Sequence, residues 1–147
     1  MDSSAKRDYL DALLDYAFDM TYVRSLGENH VEFLYVQCAR VAELDDTIRL
    51  WLLEAIERSL VGQSTIENGA IRRPDGFIPS ELVLFLAHRT KWPEFDKMAD
   101  RISSLPEDIW RSNPLCRSSV ALREALRNDW EHSDFYSSFS SPQPWPN

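Results

Sequence analysis

The feature that most constrains this chain is the spacing of its apolar residues. They recur three and four positions apart in one segment after another, which is the period of an amphipathic helix rather than of a strand. Between Ser3 and Leu26, the residues Leu10, Leu13, Leu14, Ala17 and Met20 fall on one side of a helical wheel, and Asp8, Asp11, Asp15 and Asp19 fall on the other. Gly27 stands where a helix-ending glycine is expected. From Glu28 to Leu44, a stripe of Val31, Leu34, Tyr35, Cys38, Val41 and Ala42 predicts a second helix, with Glu32, Gln37, Arg40 and Glu43 on its wet face. Asp45 or Asp46 can cap a third helix that runs to about Val61 and buries Ile48, Trp51, Leu52, Ala55 and Ile56. Glu54 and Arg58 form an i, i+4 pair on its outer side.

The pattern breaks between Gly62 and Pro79. Asn68-Gly69 and Asp75-Gly76 are turn dipeptides, and Ile66 and Ile71 flank the first, which allows a small hairpin. Arg72-Arg73 is a local basic spot in this stretch. Ser80 to Lys91 is apolar nearly all round; periodicity alone does not separate buried helix from buried strand there, but its length and leucine content favour a central helix. Pro93 opens a fifth helix that buries Phe95, Met98, Ala99 and Ile102, with Trp92 before it extended. Pro106 starts a short turn carrying Glu107 and Asp108. Asn113-Pro114 starts a last long helix whose core stripe is Leu115, Leu122, Leu126 and Trp130. The expected fold is therefore mainly α. It is a single-domain bundle of about six helices over residues 1–139, with one long loop near residues 62–79 and a Pro-rich tail at 140–147 that is extended or flexible.

Composition supports that reading. The chain has 147 residues, 44% hydrophobic and 27% charged, which is enough to bury a core without disulfides or metal. Only four glycines argue against an all-β fold with many turns. Charge narrows the function. With 24 Asp and Glu against 16 Lys and Arg, the net charge is −8. Phosphate backbones and anionic membranes attract basic surfaces, so neither direct nucleic-acid binding nor membrane association is expected. A basic protein is the natural partner, although acidity also serves plain solubility. The N-terminus lacks an uninterrupted apolar stretch, and no run approaches a membrane span, which makes the cytoplasm the expected location.

The residue types that carry catalysis are not arranged for it. Cys38 lies inside an apolar stripe, and Cys116, although near a helix start, has no histidine fixed beside it. His30, His88 and His132 are scattered and form no metal-ligand spacing; His88 flanks a very apolar helix and reads as a hydrogen-bonded core residue. No phosphate-binding glycine loop occurs. No catalytic residue, metal, cofactor or small-molecule substrate is expected.

Two surface features remain. The stripe of Asp8, Asp11, Asp15 and Asp19 reads either as a solvated face or as a docking strip for Lys and Arg. The stretch Asn128 to Phe139 alternates acids with aromatics, the mixture that protein interfaces favour; the competing reading is that Trp130, Phe135 and Phe139 close the core. The candidate partner-binding residues are thus Asp8, Asp11, Asp15, Asp19, Asp129, Glu131, Asp134 and Tyr136.

The segment PSELVLFLAHRTKWPEF, Pro79 to Phe95, resembles a segment of small helical immunity proteins from bacterial polymorphic-toxin and contact-dependent growth inhibition systems. In them an apolar helix carrying a His or Arg leads into a Trp and the next helix. The resemblance covers under a fifth of the chain. It implies a cytoplasmic inhibitor that binds one cognate, basic, nuclease-type toxin domain. It carries over no functional residue, because the matching segment has the pattern of core. The alternative is a non-catalytic adaptor or regulatory domain that binds protein partners.

Overall fold

The computed structural model describes residues 2–62, 71–106, 115–128 and 130–140, leaving aside the side chains of Glu28, Leu115, Cys116 and Ser140. Their order is helix after helix: α1 (Ser3–Phe18), α2 (Glu28–Leu44), α3 (Asp46–Gly62), α4 (Ser80–Thr90), α5 (Pro93–Ser103) and α6 (Leu115–Leu126), closed by a single turn, α7 (Ser137–Ser140). No strand occurs among the described residues, so the chain is mainly α, as the apolar period requires. The Asn68-Gly69 hairpin, the turn at Glu107 and Asp108, the Asn113-Pro114 start and the tail after Ser140 lie outside the described residues.

The helix ends follow local chemistry. Asp2 caps α1 by accepting the Ala5 N–H at 2.8 Å. Asp45 caps α3 by accepting from the N–H groups of Thr47 and Ile48, and it also receives Lys6 Nζ at 2.9 Å, tying α1 to the α2–α3 corner. Trp92 is extended (φ −59°, ψ 130°) because a proline follows, and Pro93 starts α5 where its missing N–H costs nothing. At the end of α4, Lys91 is left-handed (φ 54°), so the chain turns sharply into α5.

Helices α1, α2 and α3 pack on one another, α5 pairs with α6, and α4 lies between α2 and α6. The stripes expected from sequence form one core. Leu10, Leu14, Val31, Tyr35, Cys38, Ile48, Leu52, Ile56, Leu82, Phe85, Leu86, Phe95, Met98 and Ile102 are buried in it. Ion pairs join neighbouring helices around it. Arg49 meets Glu94 and Arg101 meets Glu57 (2.5 Å) between α3 and α5. Arg89 meets Glu43 (2.7 Å) between α4 and α2, and Arg123 meets Asp100 (2.6 Å) between α6 and α5.

Three expectations are corrected. The first helix does not run regularly to Leu26. It ends at Phe18 and widens into a π turn, Asp19–Val23; the left-handed residue is Ser25 (φ 56°), while Gly27 (φ −70°, ψ 164°) instead precedes α2. A π turn bonds i to i+5 and so breaks the regular α-helical spacing of the stripe beyond Phe18. Second, α6 stops at Leu126, because Asn128 adopts a left-handed conformation (φ 64°), and Trp130 reaches the core from extended chain beyond the helix. Asn tolerates that conformation more cheaply than most residues. Third, Glu32, placed on the wet face of α2, is only 5% exposed.

Candidate partner-binding surfaces

The acidic stripe on α1 is largely used inside the molecule. Arg73, only 12% exposed at its side chain, lies against it. Its Nε donates to Asp15 at 2.7 Å, its Nη2 to Asp11 at 3.1 Å, and its Nη1 to the Phe77 carbonyl at 2.8 Å. One turn on, Arg24 donates to Asp19 at 2.8 Å, and Asp19 raises the Arg24 pKa above its ordinary value. The repulsion among these aspartates is therefore offset from within, with Arg73 bridging two of them across one helical turn. Beside them lies a cleft of about 440 Å³, lined by Asp11, Asp15, Asp19, Arg72, Arg73 and Asp75. Asp8 is exposed and has no ion-pair partner among the described residues. Tyr9 and Tyr16, also exposed, flank the stripe. The Arg7 guanidinium sits 5.7 Å over the Trp51 ring.

The acid–aromatic segment divides in two. A short 3₁₀ turn, Glu131–Phe135, projects Phe135 (56% exposed) together with the exposed carboxylates of Glu131 and Asp134. Asp134 has no ion-pair partner among the described residues, and Glu131 lies 3.9 Å from His132 Nε2, a pair only when that ring is protonated. His132 rests edge-on against Phe135 at 5.4 Å. The rest of the segment faces inward. Trp130 is buried and Phe139 packs on the core. Tyr136, expected at the partner surface, is 0% exposed, and this is a correction: its ring lies 5.1 Å from Phe85 and 5.6 Å from Trp130, so a partner does not reach it. Asp129 lies outside the described residues.

The feature that sequence reasoning missed is Glu32. Its carboxylate accepts from Ser137 N–H and Oγ, both at 3.1 Å, and from Ser138 N–H at 2.8 Å. It thereby caps α7 from a helix more than a hundred residues earlier. A signal was present: Val36 and Ala39 follow Glu32 at i+4 and i+7, share its face and are themselves buried.

Cys38 lies in the core, and His88 and Lys91 lie beside it. Cys38 is buried, and burial pushes its thiol pKa up to about 12, so it stays protonated and unreactive at neutral pH. His88 and Lys91 both contact the Ala125 carbonyl at the end of α6, at 3.2 and 2.6 Å. Lys91 Nζ also lies 3.4 Å from His88 Nδ1; the Ala125 carbonyl only accepts and the Lys91 ammonium only donates, so the two contacts favour opposite tautomers of the ring. Burial, with help from Lys91, lowers the His88 pKa, while its contact with Ala125 opposes the shift. Burial also lowers the Lys91 pKa. His30 and His132 are exposed and apart from these. The described residues contain no group of three His, Cys, Asp or Glu able to hold a metal. No helix among them is long and apolar enough to cross a membrane.

Pro79 to Phe95 forms α4, the extended Trp92 and the first turn of α5, and its apolar residues are buried in the core or packed against it. No protein-family model, no curated protein and no solved structure matches the chain.

Proposed function

We propose that this chain is an immunity protein that neutralises a basic, nuclease-type toxin domain by forming a one-to-one complex with it. The observation that carries this reading is the turn Glu131–Phe135, where an exposed phenylalanine shares five residues with two exposed carboxylates. An aromatic anchor rimmed by charge is the composition of an interface centre, and acids of this sign suit a cationic partner. The net charge of −8 acts in the same direction. Arg49, Arg73, Arg89, Arg101 and Arg123 are held in pairs with the protein's own acids. Asp8, Tyr9 and Tyr16 on α1 offer a second surface of similar chemistry.

The test is a titration of the full chain against the toxin domain encoded beside it. We expect one-to-one binding whose association slows as salt rises, because the encounter is electrostatically steered. Phe135→Ala, and separately Glu131→Lys with Asp134→Lys, should weaken binding by about tenfold or more with the thermal midpoint unchanged. Variants that bind as tightly as the parent would exclude this turn, and absence of binding to the toxin would overturn the function. Asp11, Asp15 and Asp19 are unsuited to the test, because changing them also breaks their contacts with Arg73 and Arg24.

A further inference from the structure

We infer that residues 130–140 form a strap that opens and closes as a unit over an aromatic groove between α2 and α4, with the buried carboxylate of Glu32 as its latch. This inference does not depend on the proposed function.

Three observations converge. The first is connectivity. Asn128, left-handed at φ 64°, breaks the chain's path just before the strap, so the strap does not continue helix α6. Its backbone hydrogen bonds from Ser133 to Trp130, Tyr136 to Ser133 and Phe139 to Tyr136 all stay inside it. A short segment with local hydrogen bonds can leave without tearing any ladder in the rest of the fold.

The second is what lies beneath. The Tyr136 ring packs against Phe85 at 5.1 Å and Tyr35 at 6.3 Å, and Phe139 packs against Phe85 at 4.8 Å and His88 at 4.5 Å. Opening the strap uncovers Tyr35, Phe85 and His88 together, an apolar groove with one polar edge.

The third is the latch itself. Glu32 is 5% exposed, and no cation pairs with it among the described residues. Its buried charge is compensated by donors on the strap, Ser137 N–H and Oγ and Ser138 N–H. Burying an ion costs free energy that these charge-assisted bonds offset only while the strap is closed. When the strap leaves, the carboxylate rehydrates and that cost is recovered. Closing is therefore specific in register, because three donors on the strap must meet one carboxylate.

Hydrogen–deuterium exchange on the full chain tests this. Amides of residues 130–140 should exchange faster than those of α2 and α4, through an opening that does not expose the rest. Glu32→Gln weakens the latch without removing its bulk, and should raise strap exchange about tenfold while peptides of α1, α3 and α5 are unchanged. Ser137→Pro gives a second route that leaves Glu32 intact. Ser137 is the first residue of α7, where proline is tolerated, and Tyr136 before it is already extended (φ −114°, ψ 120°). That variant removes both donors at residue 137 and should also raise strap exchange selectively. If both variants leave strap exchange unchanged, Glu32 is no latch. If either raises exchange equally in every peptide, the strap unfolds only with the whole molecule and the inference is overturned.

Discussion

His88 shows how a single side chain acquires a role from its surroundings. Its ring lies edge-on between Trp130 (5.6 Å) and Phe139 (4.5 Å), with Nδ1 3.2 Å from the Ala125 carbonyl. Protonation would place a second cation beside Lys91 in a half-buried site, and the pKa is lowered accordingly. The unfolded chain therefore takes up this proton first, near pH 6.5. The stability tied to neutral His88 is complete above that pH and is lost as the pH falls through the lower folded value. The urea midpoint should drop between pH 7.5 and pH 5, and His88→Gln should flatten that slope. Asp45 acts in a more acidic range. The hydrogen bond from Lys6, with those from Ile48 and Thr47, holds its pKa below the carboxylate norm, so its contribution persists until the pH falls through that lowered value. That His88 packs against the core and is hydrogen-bonded there was legible from the apolar run around it. The buried position of Glu32 was not read, because an acid on a helix is ordinarily solvated and its three donors lie at the far end of the chain.

At the scale of elements, the helices and most of their ends were legible. The extent of α2, the cap at Asp45, the proline start of α5 and the exposed Glu54–Arg58 pair (4.0 Å) all stand as the sequence implies. These are local features, in which neighbours three or four residues away determine the outcome. The connection around Arg73 is different in kind. It looked like a basic spot in a loop, and it is instead the clamp that fastens residues 71–79 to α1 through Asp11, Asp15 and the Phe77 carbonyl. Ser59 Oγ, accepting the Ile78 N–H at 2.9 Å, secures the same connection to α3. Arg73→Met should lower stability by about 1–2 kcal/mol, toward the lower end because both aspartates are at least half exposed. The check is a urea melt at low and at high salt: the gap between parent and variant should narrow as salt screens the pairs in the parent.

In the molecule as a whole, elements far apart in sequence converge on Phe85. Its ring touches Tyr35 of α2 and Tyr136 and Phe139 of the C-terminal strap, from within α4. Phe85→Ala should cost about 3–5 kcal/mol in a urea melt, because it opens a cavity where three elements meet. Charge belongs to this scale too. The net charge of −8 follows from composition, but which acids remain available to a partner depends on which arginines the fold brings to the others. What the sequence determined by itself is the mainly helical class, the core stripes and the acidic balance, since periodicity, propensity and composition are properties of neighbouring residues and of sums. Only the tertiary structure decided that Asp11 and Asp15 of the stripe are answered by Arg73, that Tyr136 is core while Phe135 faces outward, and that Glu32 holds Ser137 and Ser138. Those outcomes depend on long-range pairing, in which a charge or ring is buried only where distant residues supply its donors or its packing.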